Sequence, residues 1–207
     1  MNRPGKIICV GRNYVDHAKE MGNDVPKEPL IFLKPPTSVI GNGDSVVLPP
    51  ESSHVEYEGE IGVVVGKRLR RASADEASGA VQSIVAVNDV TARDLQRAEP
   101  QWTRGKGFDT FCPVGEPVAP PSDLGELIVV TRVNGAERQR ARVADMVFSI
   151  PTVLSYVSQF MTIEPGDLVC TGTPAGVGKL SPGDEVEVEI LGHSRVRNTV
   201  IAEQQGA

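Results

Sequence analysis

Aromatic residues, cysteines and long apolar runs are all scarce in this chain. Phe, Trp and Tyr make up only 4% of the residues, so a surface that stacks nucleic-acid bases is not expected. The three cysteines, Cys9, Cys112 and Cys170, are odd in number and form no CxxC pair, which indicates a reducing compartment and no thiolate metal site. No apolar run approaches the ~20 residues of a membrane span. The first residues show no secretion signal, so we expect a cytoplasmic protein without membrane contact.

Positive charge is also in short supply. The chain has 21 Lys and Arg against 27 Asp and Glu, a formal net charge of −6. Proteins that bind nucleic acid need a basic patch or stripe, so we expect no nucleic-acid partner, whereas a few local cations would suffice for a small anionic substrate. The 207 residues fit a single domain that is large enough to bury a core without disulfides.

Frequent turn residues and short apolar segments predict an α+β fold that is mostly β. Asn134 and Gly135 lie between two strand patterns and form the strongest short hairpin signal. Two Pro-Gly-Asp turns, beginning at Pro165 and Pro182, each precede a strand pattern. We expect roughly eight to ten strands and three or four short helices. The main predicted elements are helices at residues 13–21 (N-capped by Asn13), 91–98 and 151–161, a helix opened by the capping box Ser73 and Glu76, and strands at residues 57–65 and 83–88.

A row of carboxylates in the predicted strand at residues 57–65 is the most informative local feature. Glu56, Glu58 and Glu60 alternate along the chain, which places them on one strand face with Cβ atoms about 6.6–6.8 Å apart. The apolar residues that follow indicate a buried strand, where unpaired carboxylates are costly. A hard divalent cation would neutralise them, because it prefers oxygen ligands. The alternative is a solvated strand face with its acids in water.

Asp89 adds a third acid at the end of a predicted core strand. It directly follows the apolar residues 83–88, although a turn or helix cap is an alternative role. Glu58, Glu60 and Asp89 together would form an all-oxygen site that suits Mg²⁺ or Mn²⁺, with Ca²⁺ as a further oxygen-preferring cation, better than zinc.

Two further candidates are a His–Glu pair and a lysine between glycines. His17 and Glu20 are three residues apart, so they share a helix face, where the acid could orient the imidazole of a general base. An exposed ion pair is the alternative. Lys106 lies between Gly105 and Gly107, which suits a loop that aims a side chain inward, although a mobile surface lysine is the alternative.

Several blocks together resemble the fumarylacetoacetate hydrolase family, in particular its short acylpyruvase and oxaloacetate-decarboxylase branch. The blocks occur in the family's order and span most of the chain. They are residues 11–20 (GRNYVDHAKE), 56–60 (EYEGE), 88–96 (NDVTARDLQ), 102–108 (WTRGKGF), 148–151 (FSIP) and 171–178 (TGTPAGVG).

The resemblance implies a mixed β-roll, a homodimer and a Mg²⁺ or Mn²⁺ ion held at Glu58, Glu60 and Asp89. It further implies that residues 1–207 form one catalytic domain, in which residues 1–50 supply a strand, a lid helix and a proline-rich segment and residues 51–207 form the metal-binding β-roll. Because the family's metal site is formed by carboxylates alone, His54 is not expected to bind the metal. The implied catalytic residues are His17, Glu20 and Lys106, and the implied substrate-binding residues are Arg12, Arg93, Gln96 and Thr173. For Arg93 alone, a surface salt bridge with Asp94 or Glu99 is the alternative.

The implied activity is metal-dependent hydrolysis of a carbon–carbon bond in a small 2-oxo or 2,4-dioxo acid of the acylpyruvate or fumarylpyruvate type. The same enolate chemistry would also decarboxylate oxaloacetate. Two alternatives stay open. One is an isomerase of 2-hydroxymuconate-type diacids, such as a 2-hydroxyhepta-2,4-diene-1,7-dioate isomerase, in aromatic catabolism. The other is a non-catalytic metal-binding protein.

Overall fold

Two five-stranded sheets and one long helix enclose the main core. The computed structural model describes residues 3–203, and within them fifteen short strands and five α-helices. The strands are β1 Ile7–Gly11, β2 Leu30–Lys34, β3 Val39–Ile40, β4 Ser45–Leu48, β5 Val55–Tyr57, β6 Gly59–Val65, β7 Val81–Asn88, β8 Thr91–Ala92, β9 Cys112–Pro113, β10 Ile128–Val133, β11 Ala136–Arg142, β12 Leu168–Cys170, β13 Gly178–Lys179, β14 Glu185–Ile190 and β15 Ser194–Ala202. The helices are α1 Val15–Glu20, α2 Ala74–Ser78, α3 Arg93–Ala98, α4 Thr103–Lys106 and α5 Ile150–Phe160, with 3-10 turns at Pro36–Ser38, Leu124–Glu126 and Val143–Asp145.

The sheets mix parallel and antiparallel pairs. One has the order β2-β1-β12-β6-β7 and the other β11-β10-β14-β15-β4, with two smaller sheets, β13-β5-β8 and β3-β9. Pairs β1–β12, β15–β4 and β3–β9 are parallel and the others antiparallel. The α+β, mostly β fold expected from the sequence, with its mixed β-roll, is confirmed.

The main core lies between the two large sheets and α5. Ile61 and Val63 of β6 pack in the same cluster as Val129 and Val188 of the second sheet and Leu154 of α5. The buried residues of α5 recur at helical spacing, as the sequence predicts, and Ser149 caps the helix. Within residues 3–203, no helix combines the length and the apolar character that crossing a bilayer requires.

Several local predictions are confirmed. Asn134 and Gly135 both have positive φ (52° and 77°), as a type I′ hairpin turn requires, and they join β10 to β11. Ser73 and Glu76 form a capping box at the start of α2.

Other local predictions are wrong. Tyr14, not Asn13, lies at the start of α1, and the Asn13 side chain instead donates to the carbonyls of Phe148 and Thr171. The strand expected at residues 57–65 is interrupted at Glu58, and the helix expected at 91–98 begins with strand β8, because both segments pair with distant parts of the chain. The strands outnumber the expected eight to ten, since many contain only two or three residues.

Candidate active site

A cleft opens where β1, β7 and β12 end and β6 begins. Gly59 pairs with Asn88 across β6 and β7, and Cys9 pairs with Cys170 across β1 and β12. Residues that follow these strand ends therefore meet at one edge of the sheet. The cleft has a volume of about 1180 Å³ and is lined by residues from α1, β2, β6 and the segment around α3 and α4. Trp102, the only tryptophan of the chain, is one of them.

Three buried carboxylates converge on this edge. Glu58, Glu60 and Asp89 each offer an oxygen, and these oxygens all lie within 4.8 Å of one another. Backbone hydrogen bonds hold the two chain segments together, since the Asp89 amide donates to the Glu58 carbonyl (2.8 Å) and the Glu58 amide donates to the Asn88 side chain (2.9 Å). The three acids that the sequence singles out are thus neighbours in space.

Buried cations surround two of these acids. Lys106 donates to Glu58 Oε2 (2.7 Å) and Asp89 Oδ2 (2.6 Å), and Lys34 donates to Asp89 Oδ1 (2.6 Å). Arg93 bonds to the other oxygen of Glu58. Burial alone would raise the pKa of Glu58, but Lys106 and Arg93 outweigh it and hold that pKa well below its ordinary value. Burial likewise opposes the charge of Lys106, but Asp89 and Glu58 raise the Lys106 pKa above its ordinary range.

Glu60 is the acid without a cationic partner among residues 3–203. Its carboxylate accepts a hydrogen bond from the Gly172 amide (2.8 Å). Burial, with the nearby charges of Asp89 and Glu58, raises the pKa of Glu60 well above its ordinary value. A buried carboxylate beside two others fits a hard divalent cation, which prefers oxygen ligands and would supply the missing positive charge. Glu58, Glu60 and Asp89 are the residues that would hold it.

The His17–Glu20 pair lies over the same cleft. His17 is 5% exposed, and its Nδ1 lies 3.4 Å from Glu20 Oε2, a long contact for a hydrogen bond. Both carboxylate oxygens of Glu20 accept from the Gly176 amide (3.0 and 3.1 Å). Tyr57 donates to the Gly176 carbonyl (2.9 Å), so one glycine connects α1 to β5, the strand that precedes Glu58.

Arg93 does not form the surface salt bridge that was its alternative role. It is 2% exposed, and besides Glu58 it donates to Glu56 (2.7 Å) and Gln96 (2.6 Å). Arg93 and Gln96 both line the cleft. His54 Nε2 lies 2.8 Å from Glu56 Oε1, the oxygen that Arg93 does not contact, and His54 is not part of the three-acid cluster.

Thr173 and Arg12 also line the cleft. The Thr173 hydroxyl donates to the Gly59 carbonyl (2.9 Å), so its hydrogen is already used within the protein. Arg12 has a φ of 58°, a left-handed conformation that is uncommon outside glycine. Within the described residues Arg12 forms no ion pair.

Lys34 and Gln139 are polar site residues that the sequence analysis missed. Lys34 is the last residue of the apolar strand β2, and its side chain is buried. A lysine at the end of an apolar segment is unusual, and this was the signal that the sequence offered. Gln139 is buried on an otherwise polar strand, where no local pattern distinguishes it.

Comparison with known proteins shows the family of the chain. The sequence pattern of the family described as Fumarylacetoacetate (FAA) hydrolase C-terminal matches residues 6–201. The chain belongs to the fumarylacetoacetate hydrolase family. The resemblance noted from the sequence blocks is therefore confirmed.

Relatives and solved structures of this family cover nearly the whole chain. The human mitochondrial oxaloacetate tautomerase FAHD2A is 43% identical over 213 residues, which cover 97% of this chain and 68% of the relative. The crystal structure of 5-carboxymethyl-2-hydroxymuconate delta-isomerase from Mycobacterium smegmatis superposes with a TM-score of 0.90 at 39% identity, covering 98% of this chain and 81% of the other. That of 2-hydroxyhepta-2,4-diene-1,7-dioate isomerase from Mycobacterium marinum gives 0.89 at 39% identity, covering 98% and 77%.

Proposed function

We propose that this protein is a divalent-metal-dependent enzyme that forms and protonates the enolate of a small 2-oxo acid. The observation that carries the proposal is that Glu58 and Glu60 line one cleft with His17, while Asp89 lies beside the two acids and Glu20 lies beside His17. A Mg²⁺ or Mn²⁺ ion held by the three acids would act as a Lewis acid toward the keto and carboxylate oxygens of the substrate.

His17 is the proposed proton carrier. With Nδ1 directed at Glu20, Nε2 is the nitrogen left to take up a proton and return it. Glu20 orients the ring, and the Gly176 amide in turn fixes Glu20. Lys106 places a positive charge beside the acids and would stabilise the negative charge that develops on the substrate oxygen.

The proposed substrate-binding residues are Arg12, Arg93 and Gln96. Thr173 lines the cleft too, but its hydroxyl hydrogen is bonded to the Gly59 carbonyl. Arg12 lines the cleft and has no carboxylate partner within residues 3–203, so it is free to pair with a substrate carboxylate. Arg93 and Gln96 already bond to each other, and as a unit they present the remaining donors of Gln96 to the cleft.

Proton transfer at carbon is the first candidate reaction. His17 would take a proton from the carbon next to the keto group, and the same imidazolium would return it to the enolate at another atom. This candidate is supported by the identity of 39–43% to proteins named oxaloacetate tautomerase and hydroxyheptadienedioate isomerase.

Hydrolysis of a carbon–carbon bond in an acylpyruvate or fumarylpyruvate is the second candidate, and it would use the same His17–Glu20 pair to activate water. His17 would take a proton from water as the water oxygen attacks the distal carbonyl. The bond between C3 and C4 then breaks, its electron pair stays on C3, and the pyruvate enolate leaves. Decarboxylation of oxaloacetate yields the same enolate.

The proposal includes a single catalytic domain, with the lid in residues 1–50 and the metal-binding roll in residues 51–207, acting as a homodimer in the cytoplasm. All three cysteines are free and buried, as suits a reducing compartment.

Assays with a panel of acids test the proposal. The protein with Mg²⁺ is given oxaloacetate, acetylpyruvate, fumarylpyruvate and a hydroxymuconate isomer, and absorbance follows loss of the enol while chromatography identifies products. We expect ketonisation or isomerisation if proton transfer at carbon is the activity, and free pyruvate from an acylpyruvate if hydrolysis is. Folded protein that turns over none of them with Mg²⁺ or Mn²⁺ would contradict the proposal.

A further inference from the structure

Strand β11 buries a single residue, and that residue is polar. Residues on both sides of Gln139 are exposed, whereas Gln139 itself is 1% exposed. It pairs with Thr131 of β10 next to a register shift between Thr131 and Arg132. Bulges of this kind re-aim side chains and are over-represented next to active sites. A buried polar group persists only when hydrogen bonds compensate its desolvation, so the partners of Gln139 indicate its role.

The Gln139 amide connects the two parts of the site. Its Oε1 accepts from the Gly59 amide (3.0 Å), and its Nε2 donates to the Thr173 hydroxyl (2.8 Å) and the Pro174 carbonyl (2.8 Å). The Thr173 hydroxyl donates in turn to the Gly59 carbonyl (2.9 Å). Both the amide and the carbonyl of Gly59 thus form hydrogen bonds with residues outside its own strand, β6.

Gly59 needs such support because it separates Glu58 from Glu60. A Cβ at this position would lie 1.8 Å from the Thr131 hydroxyl, so only glycine allows β10 to approach this closely. Glycine is also the residue with the widest choice of backbone conformations. The spacing of the two flanking carboxylates therefore depends on contacts supplied by other elements.

The same amide fixes the loop of residues 171–178. This loop presents the Gly172 amide to Glu60 (2.8 Å) and the Gly176 amide to Glu20 (3.0 Å). Gln139 bonds to Thr173 and Pro174, which lie between these two amides in the loop. It therefore influences the orientation of both Glu60 and Glu20.

We propose that Gln139 is a positioning residue, which fixes the spacing of the Glu58 and Glu60 carboxylates and the loop that binds Glu60. Gln139 does not line the cleft, so it acts through Gly59 and Thr173. The inference rests on the proposed function, since it concerns the same divalent cation.

Binding of Mn²⁺ alone tests the inference. Gln139→Met keeps the side-chain length and removes every hydrogen bond of the amide. Arg140→Met on the same strand is the matched control, because Arg140 is exposed and pairs with Glu137. We expect Gln139→Met to raise the Mn²⁺ dissociation constant, measured by electron paramagnetic resonance, by about 10–100-fold, the usual effect of losing a group that orients metal ligands. The control should stay within about twofold of the original protein, as surface changes usually have small effects.

Circular dichroism and the unfolding temperature establish that each variant is folded. If Gln139→Met does not fold, Gln139→Asn replaces it, since its shorter amide cannot span Gly59 and Thr173 together, and the same weakening is expected. An unchanged Mn²⁺ affinity in a folded Gln139 variant would overturn this inference and leave the proposed function intact. Original protein that binds no Mn²⁺ would overturn both.

Discussion

His17 is the side chain whose removal best separates the reactions open to this cleft. We expect His17→Ala to slow tautomerisation of oxaloacetate and hydrolysis of acetylpyruvate by about 10²–10⁴-fold, the usual contribution of a general acid or base. Decarboxylation of oxaloacetate should fall less, because it requires no proton transfer by the imidazole before the bond breaks. Initial rates with Mg²⁺ measure each effect.

Oxalate binding, followed through the fluorescence of Trp102, serves as the control for His17→Ala. It should change little, since the divalent cation and Arg12, not His17, are the groups proposed to hold the 2-oxo acid head. His193→Ala, in an exposed turn between β14 and β15, is the matched variant. Equal loss of all three reactions with normal oxalate binding would mean that His17 serves a step common to all of them.

A second prediction at the residue scale concerns Glu60 and its raised pKa. A carboxyl whose pKa is higher in the folded than in the unfolded protein costs stability at pH values above the unfolded pKa, where unfolding allows it to ionise freely. Metal-free Glu60→Gln should therefore be more stable than the original protein at neutral pH. The gain should vanish below about pH 4, near the ordinary carboxyl pKa.

Urea unfolding at pH 7 and pH 4 in the presence of EDTA measures this difference. The exposed Glu126→Gln is the control and should be neutral. Glu60→Gln should also lose Mn²⁺ binding. A Glu60→Gln protein that is less stable at pH 7 would show that the carboxylate is already compensated.

At the scale of elements, we predict that α1 moves when a ligand binds. It has only six residues, too few to be stable alone, and Glu20 and Asn13 attach it to the loops around Gly176 and Phe148. We expect residues 13–24 to exchange amide hydrogens quickly without ligand and several-fold more slowly with oxalate and Mg²⁺, because closure over the ligand strengthens these few attachments. Hydrogen exchange followed by mass spectrometry measures it, with the peptide of α5 as internal control. Equal exchange in both states would count against a lid.

Elements with a local cause could be predicted from the sequence. The hairpin at Asn134 and Gly135, the capping box at Ser73 and the apolar face of α5 each depend on residues a few positions apart. Asn13 was assigned wrongly because its side chain bonds to Phe148 and Thr171, more than 130 positions away, rather than to its own helix. An asparagine can cap a helix or form long-range hydrogen bonds, so the residue type alone does not distinguish the two roles.

The candidate site shows the same division. Glu58 and Glu60 are found by their alternation in the sequence, although the strand is interrupted at Glu58, and Asp89 is found by its place after β7. Lys34 and Gln139 reach the site only through sheet pairing and a bulge, whose register no local pattern specifies.

At the scale of the whole molecule, the cation should contribute to folding stability. Four buried carboxylates, at positions 56, 58, 60 and 89, face three buried cations, at positions 34, 93 and 106. Metal at 100 times its dissociation constant would stabilise the fold by about 2.7 kcal/mol, or about 5–10 °C in unfolding temperature for a domain of this size.

Scanning calorimetry with Mg²⁺ and with excess EDTA checks this. Activity should disappear with EDTA and return when Mg²⁺ is restored. Full activity and an unchanged unfolding temperature in metal-free protein would show that the three acids bind no cation.

The parallel pairing of β1 with β12 also constrains the order in which the chain can fold during synthesis. Ile7 lies beside Leu168, so β1 lacks this partner strand until about 160 further residues have been synthesised. Until then β1 can pair with β2 on one edge while its other edge, rich in apolar residues, stays open. Such an edge is prone to associate with other chains, so a ribosome-bound fragment that stops before residue 168 should bind chaperones, and release should follow emergence of β12.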